Sequence, residues 1–204
     1  TRSMKDAIVA RRIPPSVGVS ETRVENIGEL SSQGTEWLLS AQLLQRDQVA
    51  WDASLTFTTH SDKVERLREG VEPIIFGLGS NTQRHQPGYS PGGYWAVPYT
   101  FADANSDGVI QADEITYADE AAYVGTPFPK REMGLNTNVT LLDWIRIGAQ
   151  VDYRGGHKLY NSTEEFRCQF GTCRGINDPN APLWEQARAQ ALLTGGGNVY
   201  GYME

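Results

Sequence analysis

A chain of 204 residues with a net charge of −7 and a pI near 5.0 lacks the basic surface that binds nucleic acid or anionic headgroups. Its hydrophobic fraction of 39% and mean hydropathy of −0.45 exclude a helical membrane protein, since no run approaches the roughly 20 apolar residues of a spanning helix. A transmembrane β-barrel passes the same test, because it turns only every second residue toward lipid.

The first alternating segment predicts a strand near residues 35–45. Trp37, Leu39, Ala41 and Leu43 share one face, and Glu36, Leu38, Ser40 and Gln42 the other. Past a two-residue turn at Arg46-Asp47, a second strand near 49–58 sets Val49, Trp51, Ala53, Leu55 and Phe57 against Asp52, Ser54, Thr56 and Thr58. Each strand runs about 10 residues, near the roughly 9–11 of a tilted membrane strand and beyond the about 5–6 usual in soluble sheets.

A long connection rich in Gly, Pro and aromatic residues is expected from about residue 60 to 130. Tyr89, Tyr94, Trp95, Tyr99 and Phe101 crowd one stretch of it. If exposed, Tyr94, Trp95 and Tyr99 would stack on sugar rings or other flat ligands. The other possibility is that these aromatics pack on one another or form a girdle at a membrane edge.

The sharpest motif lies in the same connection. Asp103, Asn105 and Asp107 occupy positions one, three and five of a twelve-residue calcium loop. Gly108 permits its sharp turn, Val109 offers a backbone carbonyl, Ile110 anchors it and Glu114 stands at the chelating twelfth position. The pattern suits Ca2+, a hard cation that takes six to eight oxygens. An acidic turn closed by its own hydrogen bonds is the ion-free alternative. The loop is not an EF-hand, because glycines and Pro98 occupy the place of the entering helix. The segment from Ile115 to Tyr123 is expected to be helical for about two turns.

The second hairpin follows. Near 131–141, Met133, Leu135, Thr137, Val139 and Leu141 oppose Glu132, Gly134, Asn136, Asn138 and Thr140. After a two-residue turn at Leu142-Asp143, a strand near 144–153 sets Ile145, Ile147, Ala149, Val151 and Tyr153 against Trp144, Arg146, Gly148, Gln150 and Asp152.

A second long loop is expected over 154–204. Cys168 and Cys173 lack the further Cys or His ligands of a zinc site and the spacing of a redox motif, so a local disulfide in an oxidising compartment is expected. Residues 182–193 predict a short helix, opened by Pro182 and stopped by Gly195 to Gly197. His60, His85 and His157 are isolated, and the chain carries no nucleophile elbow, zinc-protease helix, phosphate loop or dinucleotide fingerprint, so no enzyme is expected. Thr1 without a signal pattern, and an end just after Tyr200-Gly201-Tyr202, suggest a fragment.

Alternation alone suits a soluble antiparallel sheet as well as a barrel. Small polar residues on the wet faces, and very short turns alternating with very long loops, favour the barrel. The expected fold class is therefore all-β, an antiparallel transmembrane β-barrel segment built from long hairpins with long extracellular loops. A secreted, calcium-stabilised β-sandwich that binds carbohydrate is the alternative.

Ile13-Pro14-Pro15-Ser16-Val17-Gly18, then Glu25-Asn26-Ile27-Gly28-Glu29-Leu30 with Gly34-Thr35-Glu36, resembles SusC/RagA-type TonB-linked outer-membrane proteins. Residues 103–110, Val124-Gly125-Thr126-Pro127-Phe128-Pro129-Lys130, and Asp152-Tyr153-Arg154-Gly155-Gly156 followed by Tyr160-Asn161 continue the resemblance in order. It implies part of a TonB-dependent transporter, from the C-terminal part of a barrel of about 22 strands closed by an N-terminal plug. Such proteins take up oligosaccharides, peptides or other nutrients across the bacterial outer membrane. The implied partners are the TonB complex, a surface lipoprotein and outer-membrane lipid. The short turns would face the periplasm, and the calcium loop and cysteine pair would lie outside the cell. Neither a plug domain, a TonB-contacting segment nor the closing strands are recognised in residues 1–204.

Overall fold

The computed structural model describes residues 2–12, 22–69, 71–77 and 82–195. The Ile13 to Gly18 stretch, Gly196 and Gly197, and Tyr200 to Tyr202 lie outside the described residues. The chain divides into two units, Thr1–Arg68 with Phe128–His157, and Glu69–Pro127 with Lys158–Glu204.

The first unit is one antiparallel sheet. Its strands are β1 (Arg2–Arg12), β2 (Thr22–Arg46), β3 (Val49–Leu67), β10 (Arg131–Leu141) and β11 (Ile145–Gly155), hydrogen-bonded in that order. β2 has 25 residues and β3 has 19, well beyond the alternating spans. Past Thr35 and Thr59 the pairs Gln33–Ser61, Ser32–Asp62 and Ser31–Lys63 are polar on both faces. Such a ladder has no apolar periodicity to detect. β3 thus continues to Leu67, into the connection expected to begin near residue 60, and β1, which pairs with Thr22 to Ser32, has no counterpart among the predicted elements.

Both short turns differ by one residue from expectation. Gln42 pairs with Asp52 but Leu44 pairs with Trp51, so a bulge makes Leu43 the extra residue and puts Leu44 in the place predicted for it. The β2–β3 loop is accordingly Asp47-Gln48, since Arg46 pairs with Val49. In the other hairpin Leu141 pairs with Ile145, leaving three residues in the loop. Leu142 and Asp143 have φ of 51° and 62°, and the Trp144 N–H donates to the Leu141 carbonyl at 3.3 Å. This is the left-handed turn that matches strand twist, followed by one extra residue, so β11 opens at Ile145 instead of Trp144.

The register aligns residues in rows across β2, β3, β10 and β11. On one face the rows are Trp37–Phe57–Met133–Tyr153, Leu39–Leu55–Leu135–Val151, Ala41–Ala53–Thr137–Ala149, Leu44–Trp51–Val139–Ile147 and Arg46–Val49–Leu141–Ile145. On the other they are Glu36–Thr58–Glu132–Arg154, Leu38–Thr56–Gly134–Asp152, Ser40–Ser54–Asn136–Gln150 and Gln42–Asp52–Asn138–Gly148. The apolar rows span about 26 Å along a strand at about 3.3 Å per residue, or about 20 Å in height at the ~40° tilt of a membrane barrel. An apolar band of about 25 Å is what such barrels present to lipid.

Within the first four apolar rows Thr137 is the polar member, and its hydroxyl is satisfied. It donates to the Asp52 carbonyl at 3.2 Å and accepts from Trp51 Nε1 at 2.8 Å. A sandwich would bury this face against a second sheet. Instead Trp37 is 61% exposed, Leu39 61%, Ile147 57% and Val151 60%, and Val64 is the one fully buried apolar side chain of this unit among the described residues. A large apolar face without a protein core over it is suited to lipid. Among the described residues the sheet is open, and β11 pairs on one side alone.

The second unit holds a small sheet of β4 (Ile74–Phe76), β5 (Gln83–His85), β6 (Gly93–Ala96) and β9 (Ala122–Gly125), and a hairpin of β7 (Tyr99–Phe101) and β8 (Ile115–Tyr117). The helix expected over Ile115 to Tyr123 is absent. The helical part there is a single 3-10 turn, Ala112–Glu114, and Ile115, Thr116 and Tyr117 pair instead with β7. Their β-branched and aromatic side chains suit a strand.

Among the described residues three helices follow: α1 (Ser162–Gln169), α2 (Arg174–Asn177) and α3 (Leu183–Gly195). Asn161 caps α1 by accepting the Glu164 N–H at 3.1 Å. The Pro182 carbonyl accepts N–H groups in the first turn of α3, from Glu185 and Gln186. Alanines on α3 let two layers approach closely. Ala187 and Ala191 pack with Ile110, Ile115, Tyr99 and Tyr117, while Ala189 and Leu192 pack with Cys168, Cys173, Tyr160 and Ile176.

Candidate functional site

The β7–β8 hairpin carries the acidic loop. Phe101 pairs with Ile115, and the Ala102 N–H donates to the Glu114 carbonyl at 3.2 Å, closing the loop at its base. Inside it Asp103 accepts from the N–H groups of Asp107 and Gly108 at 3.1 and 3.0 Å, and Asn105 Oδ1 accepts the Asp107 N–H at 3.0 Å. Asp107 accepts the Val109 N–H at 2.8 Å. Gly108 has φ of 80°, a left-handed backbone that glycine adopts without strain.

Glu114 ties the two arms together. One of its oxygens accepts the Ala104 N–H at 2.8 Å and the other the Gln111 N–H at 3.0 Å. Asp103, Asn105, Asp107 and Glu114 thus belong to one closed turn with the Val109 carbonyl. Three carboxylates, an amide oxygen and a backbone carbonyl are donor types that a hard cation takes, and here the carboxylate and amide oxygens accept the loop's own N–H groups.

The loop is also held from α3. Gln186, 3% exposed, accepts the Ile110 N–H at 3.0 Å and donates to the Gly108 carbonyl at 3.2 Å and the Ala181 carbonyl at 2.8 Å. At the base of the hairpin the Tyr117 hydroxyl donates to the Ala191 carbonyl at 3.0 Å and meets Thr194 Oγ1 at 2.7 Å. Gln186 had no signature in the sequence. A glutamine in an alanine-rich helix reads as solvated surface until the fold shows what it faces.

The three candidate stacking aromatics do not share a face. Trp95 is 6% exposed, with Tyr89 edge-on at 4.9 Å, Tyr123 at 5.8 Å and the Arg84 guanidinium over its ring at 4.9 Å. Tyr99 packs on the Ile110 and Ile115 cluster. Tyr94 accepts the Tyr160 N–H, and burial pushes its hydroxyl pKa up. Of the alternatives left open by the sequence, the geometry of Tyr89, Trp95 and Tyr123 is that of aromatics packed on one another.

The structure joins Cys168, near the C-terminal end of α1, to Cys173, just before α2. Both are buried, and Glu164 lies beside them. Glu164 also receives Arg167 at 3.0 Å and Arg188 of α3 at 3.6 Å. His85 packs against Phe76 with ring centroids 4.8 Å apart and planes tilted by 36°, and its Nδ1 accepts the Gly92 N–H at 3.1 Å. Burial holds its imidazole pKa below the usual value.

No family model matches the chain. It is 24% identical over 164 residues to the TonB-dependent receptor P3 of Formosa agariphila, covering 68% of this chain and 16% of that receptor. It is 23% identical over 144 residues to the TonB-dependent receptor SusC of Bacteroides thetaiotaomicron, covering 60% of this chain and 14% of the relative. The chain thus spans about a sixth of these relatives' length. In fold it matches a chain in the structure of the RagAB peptide transporter, with a TM-score of 0.63 and 17% identity over 80% of this chain and 19% of that one.

Proposed function

We propose that this chain, a SusC/RagA-like segment of a TonB-dependent outer-membrane receptor, supplies four membrane strands and a set of outer loops to a barrel that takes up nutrients. The observation that carries this is the sheet with one face of mostly apolar rows and a reverse face of polar, charged and glycine residues interrupted by Leu38. One side suits hydrocarbon and the other a watery lumen. The work is binding and passage, with no bond chemistry. Peptides and oligosaccharides are the proposed cargo classes, peptides by analogy with the RagAB transporter. TonB and a surface lipoprotein are the proposed partners.

The test uses the full-length protein in its own host. Deleting its gene should abolish uptake of one labelled oligosaccharide or peptide, with recovery on complementation and loss again when the proton gradient is collapsed. Unchanged uptake of every member of both classes would overturn the proposal.

The 103–114 loop is proposed to hold one Ca2+ through Asp103, Asn105, Asp107, the Val109 carbonyl and Glu114. Its role is to stiffen an outer loop. Calorimetry on the purified receptor should show uptake of calcium at or below millimolar concentration, weakened at least tenfold by Glu114→Gln. No uptake at millimolar calcium would remove the ion.

A further inference from the structure

In the small sheet of the second unit, Arg84 on β5 is paired with Ile75 on β4 and with Gly93 on β6. Trp95 lies two residues beyond Gly93, on the same face, and pairs with Tyr123 of β9. The Arg84 guanidinium sits over the Trp95 ring at 4.9 Å. A Cβ at Gly93 would come within 2.5 Å of the Tyr123 ring, so the glycine leaves that ring room beside Trp95. Tyr89, 37% exposed, covers the group from a turn, 4.9 Å from Trp95 and 4.8 Å from Tyr123.

Arg66, Arg154, Arg167, Arg174 and Arg188 each meet a carboxylate. Arg84 meets none among the described residues, although the chain carries a net charge of −7, and its Nε is buried without an acceptor. Trp95 is 6% exposed, and its indole Nε1 is also buried and unpaired. The ring face attracts the cation, but it accepts neither N–H. Two buried donors on touching side chains are costly until an acceptor arrives. A planar guanidinium beside an indole N–H suits a carboxylate, whose two oxygens take N–H groups from two directions.

We propose that Arg84 and Trp95 form a binding site for a carboxylate of the cargo. This rests on the uptake reading above and narrows it to acids, either an oligosaccharide containing a uronate or a peptide with a free carboxylate. Arg84 is half-buried, and the cover over Trp95 is a loop side chain. Tyr89 follows Gly88, which has φ of 89° and open space around it, so the acid enters past a turn and no strand has to part.

The experiment uses the full-length receptor in detergent and two matched pairs of probes, tetragalacturonate with its methyl ester and pentaalanine with its C-terminal amide. Calorimetry compares the acid and neutral form of each pair. In at least one pair the acid should bind about tenfold or more tightly. Arg84→Gln should erase that preference. Trp95→Phe keeps the ring and removes the N–H, and should reduce the preference about threefold. Arg174→Gln removes the same charge from α2 and should leave the preference intact. Amide exchange over residues 83–96 reports whether the small sheet is still folded; if Arg84→Gln loosens it, Trp95→Phe decides.

Preference for the acid in the sugar pair assigns a uronate, and in the peptide pair a chain terminus; either supports the site. No preference in either pair overturns it, as does a preference that the Arg84 and Trp95 variants leave intact. Equal losses in Arg84→Gln and Arg174→Gln overturn it too, because the general field of the protein would then explain both. So does a structure of the full-length receptor in which another part of its own chain supplies the acceptor to both N–H groups. Failure of the two readings can be told apart by the gene deletion described above. If deletion leaves uptake unchanged, the uptake reading fails and takes this site with it. If deletion abolishes uptake but the preference for acid is absent, the site alone is overturned.

Discussion

Thr137 shows how a polar side chain can sit in an apolar belt. Its hydroxyl is used twice, toward Asp52 and from Trp51, so lipid meets its methyl group and no free donor. Thr137→Val keeps the shape and removes the acceptor, leaving the indole N–H unpaired in a dry surround. A loss of about 1–3 kcal/mol is expected, measured by urea unfolding in lipid vesicles; an unchanged midpoint would mean that water reaches Trp51. His85 behaves in the opposite chemical sense. Its buried, depressed pKa means that the unfolded chain takes up the proton more readily than the folded one. The second unit should therefore keep its full stability above about pH 6.5, the ordinary histidine value, and lose it as pH falls through the lower folded-state pKa. Amide exchange at Gly92, whose N–H needs a neutral Nδ1, should quicken at pH 5 relative to the intrinsic rate, and His85→Asn should abolish the pH dependence.

At the scale of elements, the disulfide closes a short loop between α1 and α2, and both sulfurs lie in the cluster that seats α3. The paired change Cys168→Ser with Cys173→Ser should cost about 2 kcal/mol by loop-closure entropy. Faster amide exchange confined to residues 162–195 is the expected readout, and melting of the β-sheet would contradict it. The elements differ in how far the sequence reveals them. Met133 to Tyr153 alternate cleanly because one face meets an apolar phase and the other water, and β10 and β11 follow that alternation to within a residue. Leu43 misleads because a bulge is invisible to a period-2 count. The outer arms of β2 and β3 are hidden because Ser31, Ser32, Asp62 and Lys63 give the same polarity on both faces. Ile115 to Tyr123 reads as helix on the strength of a calcium-loop template, whereas pairing with Tyr99 to Phe101 decides the matter. The closed turn over 103–114 was legible residue by residue, since its hydrogen-bond partners are local. Gln186 was not, since its partner is remote in sequence.

For the whole molecule, the rows of the sheet make the two faces unequal. Leu135 and Asn136 are neighbours on β10, but Leu135 lies in the row of Leu39, Leu55 and Val151, and Asn136 in that of Ser40, Ser54 and Gln150. Leu135→Arg should cost about 2–4 kcal/mol in vesicles, as a cation does near the midplane of a barrel. Asn136→Arg should cost far less. Equal costs would mean that both faces meet the same medium.

The central claim is that this apolar face meets lipid, and the most direct test is spin-label accessibility along β10. Single labels at residues 132 to 140 of the full-length protein in vesicles would be exposed in turn to oxygen and to a water-soluble nickel chelate. Oxygen access should peak at Met133, Leu135, Thr137 and Val139, with the chelate excluded there, while Asn136 and Asn138 show the reverse ordering. Access of the chelate to Leu135 and Val139, or no alternation at all, would contradict the membrane-spanning account.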